Sequence, residues 1–203
     1  YETPDGSFAQ FTRVQAQQLL QKPAHLTWEE SASYGLTYYT AHRMLVDRAK
    51  IQPGQSVLVW GAGGGLGVFA VQLAAAVGAR PIAVVSSPAR AELCMSLGAV
   101  GVIDRSEFPG LPYRDGMTAA EEADRAAAVK AFGRRIWEIL GERTGVDVVF
   151  EHVGKSTFPA SVFLANDCGR SVICGATTGY NLTCDVRHLW MRQKQIIGSH
   201  FAD

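Results

Sequence analysis

The sequence predicts an α/β fold in which a doubly wound parallel sheet of the Rossmann type carries most of the chain. Two observations lead to this prediction. From residue 56 onward, short apolar runs alternate with helical segments, which is the pattern of parallel strands joined by crossover helices. A glycine-rich loop at 61–67 follows the first of these runs and leads directly into a helix.

Six runs are predicted as strands because each is short, rich in apolar residues and bounded by turn residues. They cover residues 56–60, 81–86, 100–103, 146–151, 170–174 and 195–200. Three helices are predicted between them, over 68–77, 88–97 and 119–140. Gly78 and Gly98 stop the first two helices, and Gly133 is a candidate break in the third. Residues 105–118 form a long loop before that third helix.

Residues 1–27 do not have the pattern of a nucleotide-binding domain. Residues 7–14 alternate like a strand, and Thr27 is placed as the N-cap of a helix. A second amphipathic helix is predicted over about 37–49. We therefore divide the chain into 1–27, a remnant of another domain with its linker, and 28–203, a dinucleotide-binding domain. We expect a fragment of a larger protein.

Composition excludes several classes of function. Hydrophobic residues make up 47% of the chain and charged residues 19%, as in ordinary globular proteins. The formal net charge of +0 offers nothing to nucleic acid or to an anionic membrane surface, and no apolar stretch is long enough to span a bilayer. The four cysteines form no Cys-x-x-Cys pair. We therefore expect neither disulfides nor a metal site, but free thiols in a reducing cytoplasm.

The glycine loop is predicted to bind the pyrophosphate of a dinucleotide. Pyrophosphate needs backbone N–H groups that point at it and no side chain in the way, and glycines between a strand and a helix provide both. The spacing is a G-x-x-G-x-x-G variant of the usual motif, and the alternative is a flexible loop without a ligand. The predicted contacts are Gly61, Gly63, Gly64, Gly65, Leu66 and Gly67.

The end of the second strand favours NADPH over NADH. An NAD site usually places an acidic residue there to bind the ribose hydroxyls. Here the positions hold Ser86, Ser87 and Arg90, so no acid repels a 2′-phosphate and the arginine can pair with it. Arg105, after the third strand, is a weaker candidate for the same phosphate, and the alternative for Arg90 is an exposed helix residue.

Polar residues also follow the later strands, at the carboxyl edge where open α/β sheets bind ligands. His152 follows strand four, where the backbone could approach the nicotinamide ribose. Taken alone, such a histidine is more often a hydrogen-bonded structural residue than a catalyst. Gly175, Ala176 and Thr177 follow strand five and could meet the nicotinamide amide. His200 ends strand six, and for this residue, as for Glu2, the residues alone rank a structural role ahead of a catalytic one.

Several stretches together resemble the crotonyl-CoA carboxylase/reductases of the medium-chain dehydrogenase/reductase superfamily. The resemblance runs over the whole chain, and the stretch at 198–202 is rather specific to that family. The others are 1–9, 26–30, 60–67, 84–87, 150–152 and 189–191. Val153 departs from the family, which usually has proline there. The resemblance implies that 1–27 is the end of a GroES-like catalytic domain, and that the full-length protein is a homo-oligomer joined through sheet edges at strand six.

The resemblance also implies a reaction. NADPH delivers hydride to the β-carbon of a 2-enoyl-CoA, and the enolate then attacks carbon dioxide to give an alkylmalonyl-CoA. The carbon dioxide pocket of the family maps onto Tyr1, Glu2 and His200, beside an asparagine from a part absent here. His200 would act as a hydrogen-bond donor whose bond strengthens as the carboxylate develops. Such enzymes serve carbon assimilation or supply polyketide extender units.

Two alternatives remain open. The first is a plain enoyl or quinone reductase of the same superfamily, which the pair Glu2 and His200 would distinguish. The second is a non-catalytic nucleotide-binding module. Acyl chain length lies beyond this sequence, because most of the acyl pocket belongs to the missing domain.

Overall fold

A computed structural model describes residues 6–201 of the chain. The chain divides into two compact units, one ending at Gly35 and one beginning at Leu36. Residues 7–14 form bends and irregular backbone, so the prediction of a strand there is wrong. Phe8 and Phe11 in this segment are fully exposed. Alternation alone therefore does not make a strand without a neighbour to complete its hydrogen bonds.

The first helix, α1, runs from Trp28 to His42. Thr27 caps it as predicted, because its Oγ1 accepts from the Glu30 N–H at 3.1 Å and the Glu30 carboxylate accepts from the Thr27 N–H at 2.8 Å. α1 continues directly into a π-helical segment, Arg43–Arg48. The separate helix predicted over 37–49 is therefore wrong, since these residues belong to one continuous helical stretch.

Six parallel strands form one sheet in the order β3-β2-β1-β4-β5-β6, which confirms the predicted doubly wound fold. The strands are β1 Ser56–Val59, β2 Arg80–Val85, β3 Gly101–Asp104, β4 Val146–Glu151, β5 Ala165–Ile173 and β6 Gln195–Gly198. β5 starts five residues before its predicted start because an irregular stretch with a register shift precedes its regular part. β6 ends before the predicted residue 200.

Within residues 6–201, five further α-helices follow the first. They are α2 Gly65–Ala76, α3 Pro88–Ser96, α4 Ala119–Leu140, α5 Phe158–Leu164 and α6 Val186–Met191. α4 is unbroken at Gly133, which is buried, so the candidate break there is wrong. α2 begins three residues before its predicted start, at the glycine loop itself. Within residues 6–201, no helix is both long and apolar enough to cross a membrane.

Both faces of the central strands β1 and β4 are buried, and neighbouring residues of one strand belong to different hydrophobic clusters. In β1, Val57 and Val59 pack with the cluster that contains α2, while Leu58 packs with the cluster that contains α4. In β4, Val148 and Val149 alternate in the same way. This two-sided burial explains why the strands read as continuous apolar runs. It leaves the carboxyl ends of the strands as the edge where a ligand can bind.

Candidate dinucleotide site

The glycine loop forms a tight turn between β1 and α2. Gly61 has φ of +59°, a left-handed conformation that side chains disfavour, and a Cβ there would lie 2.9 Å from Nε2 of His152. A Cβ on Gly67 would lie 2.4 Å from the carbonyl oxygen of Gly61 and 2.5 Å from Cα of Ala62. The first turn of α2 therefore packs directly on the loop backbone, at a distance that only glycine permits.

The amino end of α2 presents backbone donors without a capping side chain. Gly64 is the N-cap, and as a glycine it has no side chain that could cap the helix. Near the start of α2, the Val68 N–H donates a hydrogen bond to the Gly64 carbonyl at 2.9 Å. The N–H groups of Gly65, Leu66 and Gly67 precede that bond, and so they are available to an anion at the helix end.

The carboxyl end of β2 forms a second cluster of donors. Ser86 is exposed. Ser87 is the N-cap of α3, and its hydroxyl makes no capping hydrogen bond to the described residues of that helix. Arg90 lies in the first turn of α3 and its side chain is exposed. Its aliphatic stem lies against Gly63, so this cluster borders the glycine loop. Two helix ends with free donors and one guanidinium thus face the same region, which suits a ligand with several phosphates.

A cavity of about 530 Å³ lies between these segments. Five of the residues predicted to bind the cofactor line it, namely Gly61, Gly63, Ser86, Arg90 and Arg105. Its aromatic floor contains Trp60, Phe108 and Phe132, and the Trp60 and Phe132 rings stack at 5.4 Å between centroids. The volume falls in the range of ordinary small-molecule pockets, and the combination of apolar floor and polar rim is typical of them.

His152 does not line this cavity but fastens the glycine loop. Its Nε2 lies 3.0 Å from the carbonyl oxygen of Trp60, the residue before Gly61. Residues just after it, Val153, Ser156 and Thr157, line the cavity instead. The histidine predicted to contact the cofactor thus joins the ends of β1 and β4.

The loop after β5 is joined to the loop after β4 by a ladder of hydrogen bonds. The Thr178 N–H and hydroxyl both donate to the Val153 carbonyl, at 2.8 and 2.7 Å. Thr177 donates its N–H to the His152 carbonyl at 3.4 Å, and Gly175 and Ala176 lie just before it. The predicted residues on this loop therefore share one edge with His152, although Thr178 is the residue of this group that lines the cavity.

Glu151 organises the end of β4, a role that the sequence reasoning missed. Its side chain is fully buried. One carboxylate oxygen accepts from the N–H groups of Val153 at 2.8 Å and Gly154 at 3.1 Å. The other accepts from the hydroxyls of Thr157 at 2.9 Å and Ser161 at 2.6 Å. Four donors compensate the buried charge, and the carboxylate fixes the loop that forms one wall of the cavity.

This network reaches the floor of the cavity. Trp60 is buried, and its Nε1 donates to Oγ of Ser161 at 2.8 Å. Ser161 in turn donates to Glu151. The indole that stacks on Phe132 is therefore held by the same carboxylate that holds the loop. A glutamate at the end of an apolar strand, followed by hydroxyl residues, is the signal that would have identified it.

Cys174 lies at the end of β5 beside this carboxylate, and we expect it to resist alkylation. Burial, with the nearby charge of Glu151, raises the pKa of its thiol to about 11. At pH 8, only about one such thiol in a thousand is ionised, and the thiolate is the reactive species. Cys168 is exposed. Iodoacetamide at pH 8 should therefore modify Cys168 well before Cys174, as followed by mass spectrometry of peptides.

The denatured chain is the control for this experiment, because unfolding removes the burial and all four cysteines should then react. Equal rates for Cys168 and Cys174 in the native protein would contradict the expectation.

The residues proposed for carbon dioxide are placed only in part. Tyr1 and Glu2 lie outside the described residues. His200 follows β6 and is exposed. The Ser199 N–H donates to the Ile173 carbonyl at 2.8 Å, which carries the chain past the end of β5 toward the ligand edge. Across residues 6–201, no group of three or more His, Cys, Asp and Glu side chains could hold a metal ion.

Known proteins are similar to this chain in sequence and in architecture. Crotonyl-CoA carboxylase/reductase of Cereibacter sphaeroides is 51% identical over 205 aligned residues, covering 100% of this chain and 48% of that protein. A solved crotonyl-CoA carboxylase/reductase superposes with a TM-score of 0.93 at 52% identity, covering 100% of this chain and 48% of the other. A solved 2-octenoyl-CoA carboxylase reductase in complex with NADP and 2-octenoyl-CoA has a TM-score of 0.83 at 42% identity, covering 94% of this chain and 42% of that one.

The chain spans about half the length of the curated relatives it matches. It covers 48% of the Cereibacter sphaeroides protein and 44% of a crotonyl-CoA reductase of Streptomyces collinus. Residues 65–203 match the family described as Zinc-binding dehydrogenase. The chain therefore belongs to the zinc-binding dehydrogenase family, and the resemblance of its sequence to the crotonyl-CoA carboxylase/reductases is confirmed.

Proposed function

We propose that this chain supplies the NADPH-binding domain of an enzyme that reductively carboxylates a 2-enoyl-CoA to an alkylmalonyl-CoA. The observation that carries the proposal is the cavity whose rim joins the glycine loop to Ser86 and Arg90. The residues fit the cofactor, because the amino end of α2 has no capping side chain and Arg90 lies beside the glycine loop in the lining of the same cavity. When bound, NADPH supplies the hydride for reduction at the β-carbon. The relatives named above support the substrate class.

Different residues of the chain bind different parts of the cofactor. The N–H groups of Gly65, Leu66 and Gly67 bind the pyrophosphate at the amino end of α2. Ser86, Ser87 and Arg90 bind the 2′-phosphate, with Arg105 across the cavity. No carboxylate lines this cavity among the described residues, so nothing there repels a phosphate.

At the nicotinamide end, the loops after β4 and β5 provide the wall. His152 positions the glycine loop through the Trp60 carbonyl. Gly175, Ala176 and Thr177 offer backbone groups to the amide of the nicotinamide, on a loop already held by the β4 loop. The ladder between the two loops keeps these groups in place.

For carboxylation, we propose that His200, Glu2 and Tyr1 surround the carbon dioxide. Carbon dioxide is uncharged with partial negative charge on its oxygens, so an imidazole N–H can donate to one of them. That bond strengthens as the carboxylate forms. A proton donor aimed at the α-carbon would instead give simple reduction, so we assign His200 the role of a hydrogen-bond donor to oxygen.

The reaction product tests this function. We expect the full-length protein that carries this sequence to convert crotonyl-CoA, NADPH and bicarbonate into ethylmalonyl-CoA, measured by liquid chromatography and mass spectrometry. Replacing His200 by alanine should shift the product toward butyryl-CoA, because the developing carboxylate loses a donor and protonation of the enolate competes. Losing one donor of this kind costs roughly 10²-fold in rate.

Two other outcomes decide between the alternatives. Butyryl-CoA as the only product at saturating carbon dioxide would mean a plain reductase. Failure of the full-length protein to bind either NADPH or NADH would exclude both the carboxylase/reductase and the plain reductase. As a matched control, Gln195→Asn changes an exposed polar residue of β6, the strand that precedes His200, and should leave the product ratio unchanged.

The domain division and the setting of the enzyme are part of the same proposal. Residues 1–27 would be the end of the catalytic domain, and 28–203 the cofactor domain. β6 is the edge strand of the sheet and pairs with β5 on one side. An open edge of this kind can pair with a second copy, which supports a homo-oligomer. The four free cysteines among the described residues suit a reducing cytoplasm.

A further inference from the structure

Gly63 and Arg90 make an unusually close approach at the rim of the cavity. A Cβ on Gly63 would lie 2.7 Å from both Cβ and Cδ of Arg90 and 2.8 Å from Cγ. The Cβ of Arg90 is fixed by the backbone of α3 and cannot rotate away. A side chain at position 63 would therefore force the glycine loop and α3 apart, rather than merely displace a flexible tip.

The other glycines of the loop have different neighbours. A Cβ on Gly61 would meet His152, and one on Gly67 would meet the backbone of the loop itself. A Cβ on Gly65 would meet only Cγ2 of Thr37, at the ordinary contact distance of 3.5 Å. The absence of a side chain at Gly63 is thus explained by the arginine, and not by the packing of α2 on the loop.

The contact also decides where the guanidinium can be. Arg90 is exposed, and a long exposed side chain has many rotamers. With Cβ, Cγ and Cδ against Gly63, the stem of the side chain lies along the glycine loop while the residue remains exposed. Gly63 and Arg90 then both line the cavity, on the side where the second strand ends.

We propose that Gly63 is a specificity-determining residue that seats Arg90, so that the preference for NADPH over NADH depends on the glycine as well as on the arginine. This inference rests on the proposed function, because it assumes that Arg90 binds the 2′-phosphate. Gly63 acts through the arginine and is a positioning residue in this respect. Any contribution it makes to pyrophosphate binding is common to both cofactors and cancels in the ratio of their affinities.

The test compares that ratio in four forms of the full-length protein: wild type, Gly63→Ala, Arg90→Ala and the double variant. Dissociation constants for NADPH and NADH are measured by calorimetric titration. Arg90→Ala should reduce the preference for NADPH by about 10- to 100-fold, as expected for the loss of a charge-assisted pair. Gly63→Ala should reduce it by about 10-fold or more where Arg90 is present, and should leave it unchanged where Arg90 is absent.

Gly65→Ala is the matched control, since it adds the same methyl group to the same loop without meeting α3. Whatever it does to the two affinities, their ratio should stay at the wild-type value. If Gly63→Ala does not fold, the pair Gly63→Ala and Arg90→Gly removes all three contacting carbons and should restore the folded state. Failure of that rescue would overturn the proposed contact.

The remaining outcomes separate this inference from the proposed function. Wild-type protein that prefers NADH, or that loses no preference with Arg90→Ala, would refute the assignment of the 2′-phosphate site itself. A preference that depends on Arg90 but survives Gly63→Ala would leave the cofactor assignment standing and refute the role of Gly63.

Discussion

Replacing Glu151 by leucine is expected to lower the free energy of unfolding by about 4 kcal/mol, because it removes the acceptor that four donors share and leaves the N–H groups of Val153 and Gly154 without it. The N–H groups of Val153 and Gly154 and the hydroxyls of Thr157 and Ser161 all converge on this carboxylate. Leucine has a similar size, so the effect comes mainly from the lost acceptor. Urea denaturation followed by circular dichroism measures the change.

Two further variants make this measurement specific. Glu151→Gln keeps one oxygen for the two backbone N–H groups, and its amide can donate to the hydroxyls, which can turn to accept. It should therefore cost clearly less than leucine. Glu138→Leu changes an exposed glutamate of α4 and should stay within about 0.5 kcal/mol of the wild type. A leucine at position 151 that is tolerated as well as one at position 138 would refute the role of the network.

Replacing Gly67 by alanine is expected to reduce stability by about 3 kcal/mol or more and to weaken NADPH binding at least about 100-fold. The added methyl group would lie 2.4 Å from the Gly61 carbonyl oxygen and 2.5 Å from Cα of Ala62. Both partners are backbone atoms and cannot move aside by changing rotamer. The first turn of α2 must then leave the loop, which displaces the N–H groups proposed to bind pyrophosphate.

Thermal unfolding and titration with NADPH report the two effects separately. Gly65→Ala is the control for stability, because its methyl group meets only Thr37, at 3.5 Å. It should change stability far less than Gly67→Ala. Equal stability of the two variants would mean that the loop yields easily and that the close approach at Gly67 is not a constraint.

The sequence predicted those parts of the fold that depend on local pattern. β4 has the predicted bounds, because five of its six residues are buried and form, on both faces, a largely apolar run that turns mark clearly. The starts and ends of α4 and α3 were also close, since Thr118 and Gly98 are local signals. α5 and α6 were missed because helices of 7 and 6 residues are too short to show a period.

The site divides in the same way. The glycine loop, Ser86 and Arg90 were predicted because the chemistry of phosphate binding is encoded within a few neighbouring residues. The role of Glu151 and the contact of Gly63 with Arg90 could not be predicted, since each depends on segments that meet only in the folded chain. For His152, the sequence predicted the position at the edge of the sheet but not the hydrogen-bond partner, which is the Trp60 carbonyl.

The order of the strands has a consequence for the way the protein folds. β1, β2 and β3 lie close together in the sequence and pair with one another in that order. β4 pairs with the other side of β1, and the long connection that contains α4 precedes it. The cavity is lined by Gly61 and Ser86 from the first half and by Val153 and Thr157 from the second. It therefore exists only once both halves of the sheet have joined. A cofactor that binds there contacts both halves, so its binding energy stabilises the complete sheet relative to a partly assembled chain.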